Sequence, residues 1–164
     1  MRIAVTIQLT ANQVWEVIEK ELFAVLGMVT AGGEARTAGI VYIVRDRKLY
    51  ITTGANTWKA KHISANPHVS LTIPIAKRIP IAPWVKIPQA TITFSGTARV
   101  SPVSEASPEL VEALFRGAGT PELIAGSCVI EVTPVKEFVT YGIGIPLQQM
   151  RYPEKARGRA PVEG

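Results

Sequence analysis

The stretch from Ala90 to Val100 places the strongest constraint on the fold. Ile92, Phe94 and Ala98 alternate there with Thr91, Thr93, Ser95, Thr97 and Arg99, the period of two that belongs to a strand with one face buried. Gly96 interrupts the pattern and marks a bulge or a close backbone approach. Shorter runs rich in apolar and β-branched residues are spread along the chain at Ala24 to Thr30, Thr37 to Val44, Leu49 to Thr53, Val69 to Ile73, Ser127 to Val132 and Glu137 to Tyr141. Gly32-Gly33 joins the first two as a tight hairpin, and the charged turn Arg45-Asp46-Arg47-Lys48 leads into the third, so these three read as a meander. Thr133-Pro134-Val135 separates the last two runs. About six strands with few helices favour a mainly β, closed or nearly closed antiparallel barrel, since a parallel doubly wound fold needs more helical crossovers.

The helices are short and peripheral. Thr10 and Asn12 are candidate N-caps for an amphipathic helix whose apolar face is Val14, Val17, Ile18, Leu22 and Phe23. Thr57 to Ala65 suits a brief solvent-edged helix stopped by Asn66-Pro67. Ser107-Pro108-Glu109 starts another, with Leu110, Val111, Leu114 and Phe115 as its buried stripe and Gly117 and Gly119 as its stop. Pro74 to Pro88, with prolines at 74, 80, 83 and 88, is excluded from being an ordinary central strand and reads as an extended loop or edge segment. Residues 1–149 form one domain, and 150–164 read as a charged, mobile C-terminal tail.

Bulk properties narrow the class of partner. Apolar residues make up 47% of the 164 and charged residues 19%, enough to build one core and too apolar for a disordered chain. The net charge of +5 favours anionic partners, but the basic residues fall in small separated groups, so no nucleic-acid stripe is expected. No apolar run approaches the ~20 residues that span a bilayer, and Arg2 is not followed by a leader-like apolar segment; a cytoplasmic protein without a membrane partner is the expectation. Cys128, the single cysteine, lies in the apolar run Cys128-Val129-Ile130 and reads as a buried structural thiol. His62 and His68 lack a third ligand at a convincing spacing, so no metal site is expected.

Thr52-Thr53 at a strand end, followed by Thr57, Lys59 and Lys61 at a helix start, is the strongest local constellation. A helix N-terminus presents free amide donors and the positive end of the dipole, lysines add point charges, and threonines add short-range donors, a set that suits a dianionic phosphate. The same residues are also compatible with an ordinary capped helix with a solvated face.

From Leu22 to Leu71 the order of parts resembles the pyridoxamine-phosphate-oxidase-like FMN-binding split-barrel family. It runs helix, hairpin, strand ending in threonine, then a serine or threonine two residues before lysine and Asn-Pro before the next strand, here Thr57-Trp58-Lys59-Ala60-Lys61-His62-Ile63-Ser64-Ala65-Asn66-Pro67. Phe94-Ser95-Gly96-Thr97-Ala98-Arg99-Val100 is similar to the family's glycine-containing fifth strand. The resemblance implies a six-stranded antiparallel split barrel with a few peripheral helices and an FMN cofactor. It implies that Lys59 contacts the FMN phosphate with Thr57 and Lys61 assisting, and that Thr52 and Thr53 lie beside the ribityl or ring portion. Arg36, Thr37, Ala38 and Gly39 fall where the family's second strand passes the flavin, where small residues let backbone approach the ring.

Family members usually form homodimers with flavin sites at the interface, which makes Trp84, Gln89 and Arg151 candidates for contacts across it. The implied activity is an FMN-dependent oxidoreductase passing hydride or electrons between a reduced donor and a small acceptor. A non-catalytic flavin-binding sensor or carrier, and a barrel holding deazaflavin or haem, are the alternatives. Arg157-Gly158-Arg159-Ala160-Pro161 only partly echoes the arginine-rich substrate motif of the vitamin B6 oxidase itself, which argues against that substrate. Catalytic residues are not assigned.

Overall fold

The computed structural model describes residues 6–164, so Arg2 and the rest of the first five residues lie outside it. Its strands are β1 (Ile7–Gln8), β2 (Phe23–Val29), β3 (Ala35–Val41), β4 (Ile43–Arg45), β5 (Lys48–Gly54), β6 (His68–Ile75), β7 (Ala90–Pro102), β8 (Ser127–Tyr141) and β9 (Arg157–Pro161). Helices α1 (Ala11–Lys20), α2 (Trp58–Ala65), α3 (Pro108–Phe115), α4 (Pro121–Ala125) and α5 (Pro153–Ala156) lie around them.

Only Tyr42 separates β3 from β4, and the two behave as one bent strand that pairs first with β2 and then with β5. Pairing continues from β5 to β8, β7, β6 and back to β2, antiparallel throughout. Six strands thus close a ring, and the split-barrel expectation holds. Its interior is apolar: Ile92, Phe94 and Ala98 point inward from β7 as their alternation predicts, beside Leu26, Ile51, Leu71 and Phe138. Phe138 stands edge-on to both Phe94 and Trp15, at centroid distances of 5.3 and 5.4 Å, the T-shaped contact that aromatic quadrupoles favour.

Five sequence expectations change. The runs Ser127–Val132 and Glu137–Tyr141 belong to one 15-residue strand, β8. It reads as two because it exchanges partners: β5 covers its residues 127–132 and β9 covers 137–141. Pro134 sits between those two pairings, where a missing N–H leaves no ladder bond unmade on that edge. Lys136, at φ 66°, then turns the strand where its register against β7 shifts. Pro74 lies inside β6 for the same reason, because the pairing of β2 with β6 reaches only to Thr72.

The meander is broken by the bend at Tyr42: β3 stays beside β2, and only β4 reaches β5. Leu22 and Phe23, expected on the apolar face of α1, lie beyond its end and are exposed, with Phe23 opening β2. Residues 150–164 are not a mobile tail. They supply α5 and β9, which pairs antiparallel with β8 and parallel with β1 and buries Met150, Ala156, Ala160 and Val162. The indole N–H of Trp15 donates to the carbonyl of Val162 at 3.1 Å, tying this return segment to α1.

Candidate functional site: a wedge between two strands

The ring closes through β4 and β5 but parts along the rest of that seam. Pairing of β4 with β5 stops at Ile43 and Tyr50, and beyond it β3 and the end of β5 diverge. The outer edge of β3 therefore has no strand partner among the described residues, which leaves backbone donors and acceptors available. A cavity of about 240 Å³ occupies the wedge, walled by Gly39, Ile40, Val41, Tyr42 and Ile43 on one side and by Ile51 and Thr52 on the other. Lys59 from α2, and Leu114 and Arg116 from the end of α3, complete it.

Each wall follows from local sequence. Gly39 faces the ring of Phe23 across the β2–β3 ladder, and a Cβ there would stand 3.0 Å from Phe23 Cε2. Glycine is what lets the Phe23 ring lie against this part of β3. Thr57 caps α2, with its hydroxyl accepting from the Ala60 amide at 3.4 Å and its carbonyl from the Lys61 amide at 3.1 Å. The amides of Trp58 and Lys59 are left without intrahelical acceptors, at the positive end of the helix dipole. Thr53 Oγ1 lies 3.3 Å from Thr57 Oγ1, so the strand end and the helix start are joined by hydroxyls. Thr52 donates to the Cys128 carbonyl at 3.4 Å.

Tyr42, in the wedge wall, is buried, and its hydroxyl donates to the Ile18 carbonyl at 2.8 Å. Burial, with help from the nearby Glu21 charge, holds its phenol neutral well above the usual tyrosine range. Burial likewise pushes the Cys128 thiol up, in keeping with a structural role.

Of the residues singled out from sequence, the wedge brings together Gly39, Thr52 and Lys59. Thr53 and Thr57 stand one step behind, linked to each other at the helix start. Lys61 is exposed and does not line the cavity. Thr37 and Ala38 lie further along the open edge of β3, and Arg36 is held at the surface by Glu34 at 2.6 Å. Sequence reasoning missed Leu114 and Arg116. Leu114 was read as part of a buried stripe, whereas α3 has no buried residue and turns this side chain to the cavity. Arg116 follows the helix with no local signal beyond Gly117. Trp84 is 78% exposed, on a loop remote in sequence from the wedge.

Two of the larger hollows show why the wedge is preferred. One of about 550 Å³ beside α1 mixes Glu19, Glu21 and Asp46 with Lys20 and Arg45, so its charges largely neutralise one another. Another of about 440 Å³ under α3 is walled mainly by Val103, Val111, Phe115 and Ile124. Among the described residues no cluster of His, Cys, Asp or Glu could hold a metal ion, and no helix is long and apolar enough to cross a membrane.

The fold and site define a mainly β, six-stranded split barrel with a wedge that holds Thr52 and two cations, Lys59 and Arg116, among apolar walls. Residues 11–141 match the pyridoxamine 5'-phosphate oxidase family, and the chain belongs to it. Among solved structures it is similar to a putative pyridoxamine 5'-phosphate oxidase from Listeria innocua, at 18% identity over 76% of this chain and 92% of that one, with a TM-score of 0.57. A FAD-binding protein from Mesorhizobium loti matches at 14% identity over 77% and 88%, with a TM-score of 0.56. HutZ, the haem storage protein of Vibrio cholerae, matches at 15% identity over 81% and 95%, with a TM-score of 0.60. At these identities the likeness is one of fold. No protein of curated function matches the sequence.

Proposed function

We propose that this chain is an FMN-binding flavoprotein that acts as an oxidoreductase between a reduced donor and a small acceptor. The observation that carries the reading is the meeting of Lys59, Thr52 and Gly39 in one wedge at the N-terminus of α2. Lys59 and the free amides of the first turn suit a phosphate, with Thr57 ordering that turn; Thr52 offers a hydroxyl to a polyol, and Gly39 presents backbone without a side chain in the wedge wall to a planar ring. When bound, FMN supplies hydride and electron transfer, while the protein supplies position, charge and exclusion of water.

The cofactor site is completed by a second copy of the chain in this proposal. A volume of about 240 Å³ falls below the ~300–1,000 Å³ of ordinary ligand sites. The open edge of β3, with Val41 and Phe23 exposed beside it, offers surface for a homodimer. Sedimentation of the FMN-loaded protein is expected to give a dimer, and a monomer would overturn this part.

The visible absorbance spectrum of the purified protein is the first test. A flavin spectrum that bleaches with NADH or NADPH and recovers with an added acceptor is expected. A haem or deazaflavin spectrum would refute the cofactor, and a flavin that does not turn over would leave a sensor or carrier. Lys59→Ala is expected to weaken FMN binding by about 1–3 kcal/mol, the scale of a charge-assisted hydrogen bond; unchanged affinity by titration calorimetry would refute the phosphate site.

A further inference from the structure

We propose that Arg116 is the second cation of the phosphate subsite and makes the wedge selective for a terminal phosphate monoester; the inference rests on the FMN reading above. Arg116 lines the same cavity as Lys59 and Thr52, although 57 residues separate it from Lys59 in sequence. It arrives there through the whole α3 excursion between β7 and β8.

Among the residues that line the wedge, Arg116 and Lys59 are the two cations. Among the described residues Arg116, like Arg45, Arg47, Arg78, Arg151 and Arg157, enters no ion pair, which leaves its guanidinium available to an anion. It occupies a left-handed conformation, φ 51° and ψ 38°, at the C-cap of α3, and Gly117 follows at φ 71°. Arg47 takes a similar conformation at φ 57°, so it is the place of Arg116 in the wedge that distinguishes it. Arg116 also borders the adjoining hollow, where Glu19, Glu21 and Asp46 mix with Lys20 and Arg45, so the guanidinium stands between a hollow of mixed charge and the lysine-bearing wedge.

A planar guanidinium binds a phosphate through two parallel N–H donors, in contrast to the point charge of lysine. Together the two cations match a dianionic monoester. The pyrophosphate of FAD spreads its two negative charges over two phosphorus centres with two free oxygens each, so no single phosphoryl group offers the pair a dianion, and the pair favours the monoester. A favourable interaction with the α3 dipole is the competing role for an arginine at a helix C-terminus, and it predicts an effect on stability alone.

The test measures dissociation constants of FMN, riboflavin and FAD for the flavin-stripped full chain and for Arg116→Ala, Arg116→Lys and Lys59→Ala, with thermal unfolding of each. Arg116→Ala is expected to weaken FMN by about 10-fold or more, leave riboflavin unchanged and narrow the preference for FMN over FAD, with partial rescue in Arg116→Lys. If Lys59→Ala erases the difference between FMN and riboflavin while Arg116→Ala preserves it, the role of Arg116 is refuted and the phosphate site stands. Equal losses for FMN and riboflavin in Arg116→Ala, or a wild-type preference for FAD, would also refute it. If the wild-type chain binds FMN no better than riboflavin, the phosphate site itself fails.

Discussion

Gly96 lies on β7 directly opposite Pro134 of β8. A Cβ there would fall 2.8 Å from a Val132 methyl and 3.1 Å from the Thr133 carbonyl oxygen, so Gly96→Ala is expected to destabilise by about 1–3 kcal/mol through overpacking, read as a lower urea midpoint at unchanged m. The glycine was legible in sequence as a bulge or a close approach; the structure selects the close approach. Tyr42 illustrates what was not legible, because its burial depends on how β3 bends into β4 over the end of α1. The folded phenol titrates above the ordinary value of 10.0, held by burial and by Glu21. Its neutral form therefore contributes stability fully below the unfolded value, and that contribution is lost as pH climbs from there through the folded one. Alkaline unfolding followed by circular dichroism is expected to be less steep in Tyr42→Phe. That variant also gives up the bond to the Ile18 carbonyl, at about 1 kcal/mol near neutral pH.

Among the elements, α1 is the one most completely written in its own residues. Thr10 and Gln13 form a reciprocal capping box, with bonds of 3.2 and 2.8 Å, and Val14, Trp15 and Ile18 form its buried face. Thr10→Ala is expected to lower stability by about 1 kcal/mol, measured by urea denaturation, while leaving ligand affinity unchanged. α2 was equally legible, from the Thr57 cap to the Asn66-Pro67 stop. β8 and α3 were not. The first was hidden by a proline that is tolerated only because two different strands share one edge of β8. In the second, Leu110, Val111, Leu114 and Phe115 mark a helix correctly but do not say what they face, and in this chain none is buried. An apolar stripe establishes a preference for contact without identifying the contact.

At the scale of the whole molecule, the return of residues 150–164 onto the barrel matters most for stability. Deleting residues 157–164 would strip one edge of β8, expose Phe138 and Trp15 to water and unpair the Trp15 indole. The expected loss is about 3 kcal/mol or more, roughly 6–12 °C in Tm, and differential scanning calorimetry of the truncated chain checks it; an unchanged Tm would mean that β9 is only loosely attached. The same strand contains Arg157 to Pro161, the partial echo of a substrate motif. Arg159 is paired there with Glu137, so that segment serves the sheet.

Local sequence by itself determined the strand faces, the helix caps and the register of Thr57, Lys59 and Asn66-Pro67, because periodicity, capping and turn chemistry act over a few residues. It also placed the chain in its family, through polar positions that keep their spacing. The tertiary structure alone decided that β3 parts from β5 to open a wedge, that Arg116 reaches it from 57 residues away, and that the charged C-terminal segment closes the sheet. Those outcomes depend on which surfaces find one another once the strands pair, and contacts across such distances leave no period in the chain.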